Sequence, residues 1–324
     1  MAGPIDDPFL LTASSPAEAG LSASSLHAME QMLPEWRMKS VVVLRGDRIA
    51  WEWHEHGEDR IAPLLSCTKS LMSALIGIAI EEGAIESVEQ PIADYFGAEA
   101  DPSIRIKHLL TMTPGWDWPD FDKPYKAMKK AADPISFVLN SPLTHSPGAA
   151  FTYNSGGSHL LSAILTKATG TSALDYASSK LFRPMGFRKA KWSAHRGVNE
   201  GGTGLQLYGR DLAKLGLLYL RGGDWFGNRL LPAGWIEKST KSHHRALIQY
   251  TPPIYGSYGF HWWQSPASQN GVSCFFAFGH GGQMLLVAPS EQLTVVVRKH
   301  ITGRNAAILS RKLIMDYIAP AIFH

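Results

Sequence analysis

The segment KSVVVLRGDRIAWEWHEHG (residues 39–57) decides the fold. A short apolar run, a Gly-Asp pair and an alternating segment predict two strands, Val41–Leu44 and Ile49–His54, joined by a tight turn at Gly46–Asp47. The same texture returns only near the other end of the chain, in YGSYGFHWWQ (255–264), GVSCFFAFGH (271–280), QMLLVAP (283–289) and QLTVVVRK (292–299). The short PSEQ link makes the last two an antiparallel hairpin. Between these regions the pattern is helix and loop. SLMSALIGIAIEEGAI (70–85) is apolar on nearly all faces and predicts a buried central helix that stops at Gly83. IRIKHLLTM (104–112), SGGSHLLSAILTKATG (155–170) and GRDLAKLGLLYLRGG (209–223) also read as helices, with a glycine-rich hinge, GVNEGGTG, at 197–204. Short helices are expected at Ala23–Met32, with Ser22 as a plausible cap, and at Ala306–Ile318. The expectation is an α+β chain. Residues 1–65 and 203–324 form one antiparallel sheet flanked by helices, and residues 66–202 form an inserted all-helical lobe that carries the candidate nucleophile, with a cleft between the two.

Bulk properties narrow the function classes. The 324 residues are 45% hydrophobic and 18% charged, an ordinary globular composition. The net charge of +3 is dispersed, apart from Lys123, Lys126, Lys129 and Lys130, which read as a solvated helix face rather than a docking patch. Nucleic-acid binding needs a denser basic stripe. Cys67 and Cys274 cannot make a disulfide framework. The first residues lack the pattern of a signal peptide, and no stretch is long and apolar enough to span a membrane. A cytoplasmic location is the default expectation.

Chemistry concentrates at SCTK (66–69). Ser66, ahead of an apolar helix, reads as an N-cap, and three residues after a cap an acid or amide is usual. Lys69 stands there instead, at the helix end that disfavours cations. Residues three apart share a helix face, so the amine lies beside the hydroxyl. A serine needs such a neighbour to become nucleophilic. An unperturbed lysine is neutral in roughly one molecule in 2,500 at pH 7, and burial together with the helix end shifts it toward the free amine. Alternatively Lys69 stays charged and its field lowers the pKa of a nearby tyrosine that takes the proton. By itself the Ser-x-x-Lys spacing is also compatible with a capped helix whose lysine snorkels to water.

The wider context adds a resemblance. SCTKSLMSALIGIAIEEGAI, IRIKHLLTMTPGWDW, SPGAAFTYNSGGSHLLSAILTKATG, GRDLAKLGLLYLRGGDWFGNRLLPAGW and FGHGGQMLLVAP together resemble the serine β-lactamase-like hydrolase family. It includes class C β-lactamases, penicillin-binding carboxypeptidases, family VIII carboxylesterases and 6-aminohexanoate-dimer hydrolases. The blocks cover about residues 15–320 in the family's order. The resemblance implies Ser66 as the acylated nucleophile, Lys69 as its activating partner and Tyr153 as a proton shuttle. Where the commonest family pattern has asparagine two residues after this tyrosine, the chain has Ser155, with Asn154 displaced by one. His280, Gly281 and Gly282 stand where β-lactamases carry Lys-Thr-Gly on an inner strand. By resemblance, the backbone N–H groups of Ser66 and Gln283 form the oxyanion hole. His280 in place of a permanent cation fits esters or neutral amides better than a substrate carboxylate.

Other signals carry less. His54 and His56 share a strand face, but no third metal ligand can be named. Cys67 reads as a small buried filler. Trp116 and Trp118 are candidates for a substrate-pocket wall, with Trp262 and Trp263 behind them. The functional expectation is a serine hydrolase that needs no metal or cofactor and acts through an acyl-enzyme on short-chain esters or small amides. Its expected partner is that small molecule, not nucleic acid or a membrane. The alternative is a penicillin-recognising β-lactamase or a slow-turnover penicillin-binding or sensor protein.

Overall fold

The valine run of residues 41–43 sits on an inner strand of the sheet. Val41, Val42, Val43 and Leu44 are all fully buried, which a sheet with one wet face does not allow. Val41 and Val43 point into one apolar core, Val42 and Leu44 into a second on the opposite face. A sheet covered on both sides selects continuous apolar runs over strict alternation. The computed structural model describes residues 11–12, 15–118, 123–246, 256–301 and 306–322.

Among the described residues the main sheet has nine strands: β1 (Leu11–Thr12), β2 (Met38–Arg45), β3 (Arg48–His54), β4 (His244–Arg245), β5 (Ser257–Tyr258), β6 (Trp263–Ser265), β7 (Cys274–Gly279), β8 (Gln283–Ala288) and β9 (Leu293–Lys299). Their order across the sheet is β1-β3-β2-β9-β8-β7-β6-β5-β4. All neighbours are antiparallel except β1, which lies parallel to β3. The N-terminal hairpin thus closes onto β9, the last strand among the described residues.

The helices that matter here are α1 (Ala23–Met32), α2 (Thr68–Glu81), α3 (Ile106–Leu110), α4 (Ser155–Thr169), α5 (Gly209–Leu220) and α6 (Ala306–Leu313). Ser22 caps α1 by accepting from the Ser25 N–H at 3.3 Å. Leu26 and Met29 of α1, with Leu313 and Ile314 near the C-terminus, cover one sheet face. Leu75 of α2, Leu160 and Ile164 of α4, and Leu215 of α5 belong to the core on the other. Gly83 adopts φ +73° just past the end of α2, and Gly170 adopts φ +69° after α4, the left-handed exits expected of helix C-termini. No described helix is long and apolar enough to cross a membrane.

Two strand expectations need correction. The segment 255–264 is not one strand. Among its described residues, β5 and β6 are separated by Gly259–Trp262, which leaves the sheet where His261 turns to φ +61°. His280–Gly282 is not on an inner strand either. Gly279 pairs with Gln283, so the three residues between them make the turn, with Gly281 at φ +76° and Gly282 at φ +93°. Only glycine enters that region without steric cost.

Glu52 of β3 ties the sheet to α5 through Arg210, whose Nε donates to Glu52 at 2.9 Å. Burial pushes this carboxyl up, but hydrogen bonds from Arg210 and His54 outweigh it and hold the pKa down, from 4.5 to about 2. A depressed folded-state pKa means stabilisation that is complete above about 4.5 and is lost as the pH falls toward 2. E52Q is therefore expected to be less stable than the unsubstituted chain at pH 7, by about 1–3 kcal/mol. In thermal melts that gap should narrow at pH 3.

Candidate active site

Ser66 lies inside a tight 3-10 turn, Leu65–Cys67, that runs directly into α2. The expected N-cap role is not observed. Cys67 occupies the cap position with helical dihedrals (φ −61°, ψ −18°) and no side chain caps the helix. The chain is already helical at Ser66, so its hydroxyl is not used by the backbone and turns to Lys69 instead. Leu65, just before it, is held at φ +50°, a left-handed conformation that costs a non-glycine residue about 1–3 kcal/mol. The neighbouring Cys67 thiol donates to the Gln283 carbonyl at 3.4 Å, and burial pushes its pKa far above the thiolate range.

Lys69 is 1% exposed. Its Nζ stands 3.1 Å from Ser66 Oγ and 2.9 Å from Ser155 Oγ, and donates to the Gly202 carbonyl at 2.9 Å. Three neutral oxygens from three parts of the chain thus converge on one buried amine. The amine also lies 4.9 Å from the centre of the Tyr153 ring. That ring is buried and stacks on Trp263 at 5.7 Å. Ser155 begins α4, and Asn154 caps that helix by accepting from the Gly157 N–H at 2.8 Å. The exchanged Asn-Ser order therefore has a simple reading. The asparagine is committed to the cap, and the serine reaches Lys69.

The sheet meets Ser66 at Gly279. A Cβ at this position would lie 2.5 Å from the Leu64 carbonyl and 3.2 Å from the Ser66 nitrogen. Glycine at 279 is what lets the sheet backbone come this close to Ser66. His280 is exposed. The Gln283 side chain is spent on β9: its Nε2 donates to the Lys299 carbonyl at 2.9 Å and its Oε1 accepts from the Lys299 N–H at 3.2 Å. The Gln283 side chain is therefore committed to the sheet, and its backbone carbonyl accepts from the Cys67 thiol.

Trp116 and Trp118 are 2% and 1% exposed and belong to the helix-side core. Side chains so deeply buried have no surface to offer a substrate, so the pocket-wall expectation is corrected. Trp118 instead supports the start of α4, where a Cβ at Gly156 would come within 3.0 Å of its ring. Trp262 is fully buried against Tyr219 and Phe275. Trp263 is the tryptophan placed beside the site.

Gly202, Gly279, Ser158 and His261 escaped the sequence reading. The paired glycines of the hinge were the available signal for Gly202. A Cβ at Gly202 would lie 2.8 Å from that of Ser155, so glycine lets the hinge carbonyl descend onto Lys69. Ser155 and Gly202 also line a cavity of about 130 Å3 that includes Met128, His159, Thr203 and the Lys129–Glu200 ion pair at 2.6 Å. Burial holds His159 below the ordinary histidine range. His261 is buried among α2, α3 and α4, and burial above all lowers its pKa to about 3. No group of three or more potential metal ligands occurs among the described residues.

The comparisons bear on family and fold. A β-lactamase family profile matches residues 37–307. The chain is 27% identical over 302 residues to a 6-aminohexanoate-dimer hydrolase of Paenarthrobacter ureafaciens, covering 85% of this chain and 75% of the relative. Among solved structures it superposes on EstCE1, a hydrolase with promiscuous acyltransferase activity, with a TM-score of 0.75 and 16% identity, covering 93% of this chain and 98% of the other. It also superposes on a class C β-lactamase from Rhodobacter sphaeroides with a TM-score of 0.70 and 17% identity, covering 92% and 99% of the two chains. At such identities the structural matches speak to fold alone, and the profile speaks to descent: the chain belongs to the β-lactamase family, a hydrolase family, and has its fold.

Proposed function

We propose that this protein is a serine hydrolase that cleaves short-chain carboxylic esters or small amides through an acyl-enzyme. The observation that carries the reading is the buried Lys69 amine, within hydrogen-bond distance of the Ser66 hydroxyl, Ser155 and the Gly202 carbonyl together. A neutral amine has two N–H donors and one lone pair. With Gly202 and Ser155 accepting the two donors, the lone pair is left for the Ser66 proton. Ser66 Oγ then attacks the substrate carbonyl carbon as its proton passes to Lys69. The tetrahedral oxyanion is met by backbone N–H groups, that of Ser66 and that of Gln283 beyond the close approach at Gly279. Such donors are worth roughly 2.7–4 kcal/mol each. Collapse expels the alcohol or amine, which takes the proton from Lys69 by way of the Tyr153 phenol. Water then attacks the acyl ester by the same route in reverse order, releasing the acid and restoring the serine.

The cavity lined by Ser155 and Gly202, the two partners of the Lys69 amine, is taken as the acyl pocket. Its volume of about 130 Å3 is slightly below the ~150 Å3 that accommodates benzene in an engineered cavity. Hydrolysis of p-nitrophenyl acetate and butyrate is therefore expected to exceed that of the decanoate by at least about tenfold in kcat/KM. No ester hydrolysis above an S66A background, with any of the three, would remove the esterase reading. A stable adduct with a fluorescent penicillin, released only slowly, would instead support the penicillin-binding alternative.

A further inference from the structure

We propose that His261 is a positioning residue: its ring bridges α2 and α4 and sets the separation across which the Lys69 amine reaches Ser155. The inference rests on the serine-hydrolase reading above and adds a residue to it.

His261 Nδ1 lies 3.1 Å from the Lys69 carbonyl on α2. Its Nε2 lies 3.3 Å from the Ser158 hydroxyl on α4 and 3.2 Å from the Leu109 carbonyl on α3. The backbone is fixed as firmly. The His261 N–H donates to the Leu110 carbonyl at 3.0 Å, and its carbonyl accepts from the Ser70 hydroxyl at 2.6 Å. Ser158 is three residues from Ser155, on the same face of α4. The two helices are therefore joined twice at one level, by the Lys69 amine on Ser155 and by the His261 ring between the Lys69 carbonyl and Ser158. Both links start from the same lysine, so slack in one is transmitted to the other.

The bridge can form in either tautomer of the ring. A neutral imidazole has one N–H and one lone pair. In one tautomer Nδ1–H donates to the Lys69 carbonyl and the Ser158 hydroxyl donates into Nε2; in the other Nε2–H is shared between Ser158 Oγ and the Leu109 carbonyl, and either way the ring spans α2 and α4. The left-handed backbone at His261 is what carries the ring out of the sheet and between the helices. The same segment places Trp263 against Tyr153. An observed backbone outlier that touches the supports of both Lys69 and Tyr153 is the situation in which strain points to function.

The test measures labelling of Ser66 by an alkyl fluorophosphonate, followed by intact-protein mass spectrometry. Maximal labelling rate and half-saturating concentration are compared for the unsubstituted chain, S158A, H261N and the double variant. Asparagine tolerates the left-handed backbone but is too short to hold both ends of the bridge. Each single variant is expected to lower the maximal rate about tenfold, as sub-ångström misplacement does, with the half-saturating concentration unchanged within about twofold. Because both substitutions cut one bridge, the double variant should be no worse than the poorer single by more than about twofold. Losses that multiply overturn the proposal, as does a changed half-saturating concentration with an unchanged maximal rate. Should H261N not fold, S158A decides by itself, and an unchanged rate rejects the bridge. No labelling of Ser66 in the unsubstituted chain defeats the serine reading and this inference with it. Normal labelling there, unaffected in the variants, defeats this inference alone.

Discussion

Replacing Ser66 with alanine is expected to lower kcat toward p-nitrophenyl butyrate by on the order of 10⁴- to 10⁶-fold, to the level of the binding site and oxyanion donors alone. The hydroxyl makes no cap for α2, and Ser66 is partly exposed. Its loss should therefore change folding stability by no more than about 0.5–1 kcal/mol. This separation of a large kinetic effect from a small structural one is the useful part of the experiment. Intact-protein mass spectrometry supplies the second half: the unsubstituted chain should gain one acyl mass during turnover, and S66A should gain none. Activity in S66A within tenfold of the unsubstituted chain would place the nucleophile elsewhere. Cys67 is a poor substitute, because burial keeps its thiol protonated.

The second large effect concerns Lys69. K69A is expected to reduce kcat by about 10³-fold, within the range for a removed general base. K69R is expected to do no better, because a guanidinium stays charged at any working pH and cannot accept the serine proton. The arginine variant thus separates two roles that alanine cannot. Retention of activity within tenfold in K69R would mean that positive charge, rather than basicity, is what the site requires, and Tyr153 would become the proton acceptor. Both variants disturb buried partners, the Ser155 hydroxyl and the Gly202 carbonyl, so thermal melts must accompany the rates. A stability loss of a few kcal/mol leaves the kinetic comparison valid below the melting transition.

His280 and Gly281–Gly282 show how a correct motif can mislead about place. The block is in the chain as the resemblance requires, but its two glycines are needed by the β7–β8 turn, and the approach to Ser66 is made by Gly279. Trp116 and Trp118 show the same limit for side chains. A tryptophan in a loop can face inward or outward, and no periodicity exists there to choose between them. The structure turns both into the core, Trp118 against the start of α4.

What the amino-acid order determined was local or repetitive. The strand texture at 41–54 and again at 274–299 appears in the structure as β2, β3, β7, β8 and β9, because strand-forming runs and turn residues act over a few positions. The pairing of Ser66 with Lys69 was legible for the same reason: three residues on a helix is a fixed displacement. What only the tertiary structure decided spans the chain. Ser155 stands 86 residues from Lys69, Gly202 stands 133 away and His261 192 away. Contacts of that separation depend on how α2, α4, the hinge and the β5–β6 break pack together. Periodicity tells which face of an element is buried, and it carries no information about which distant element the face will meet.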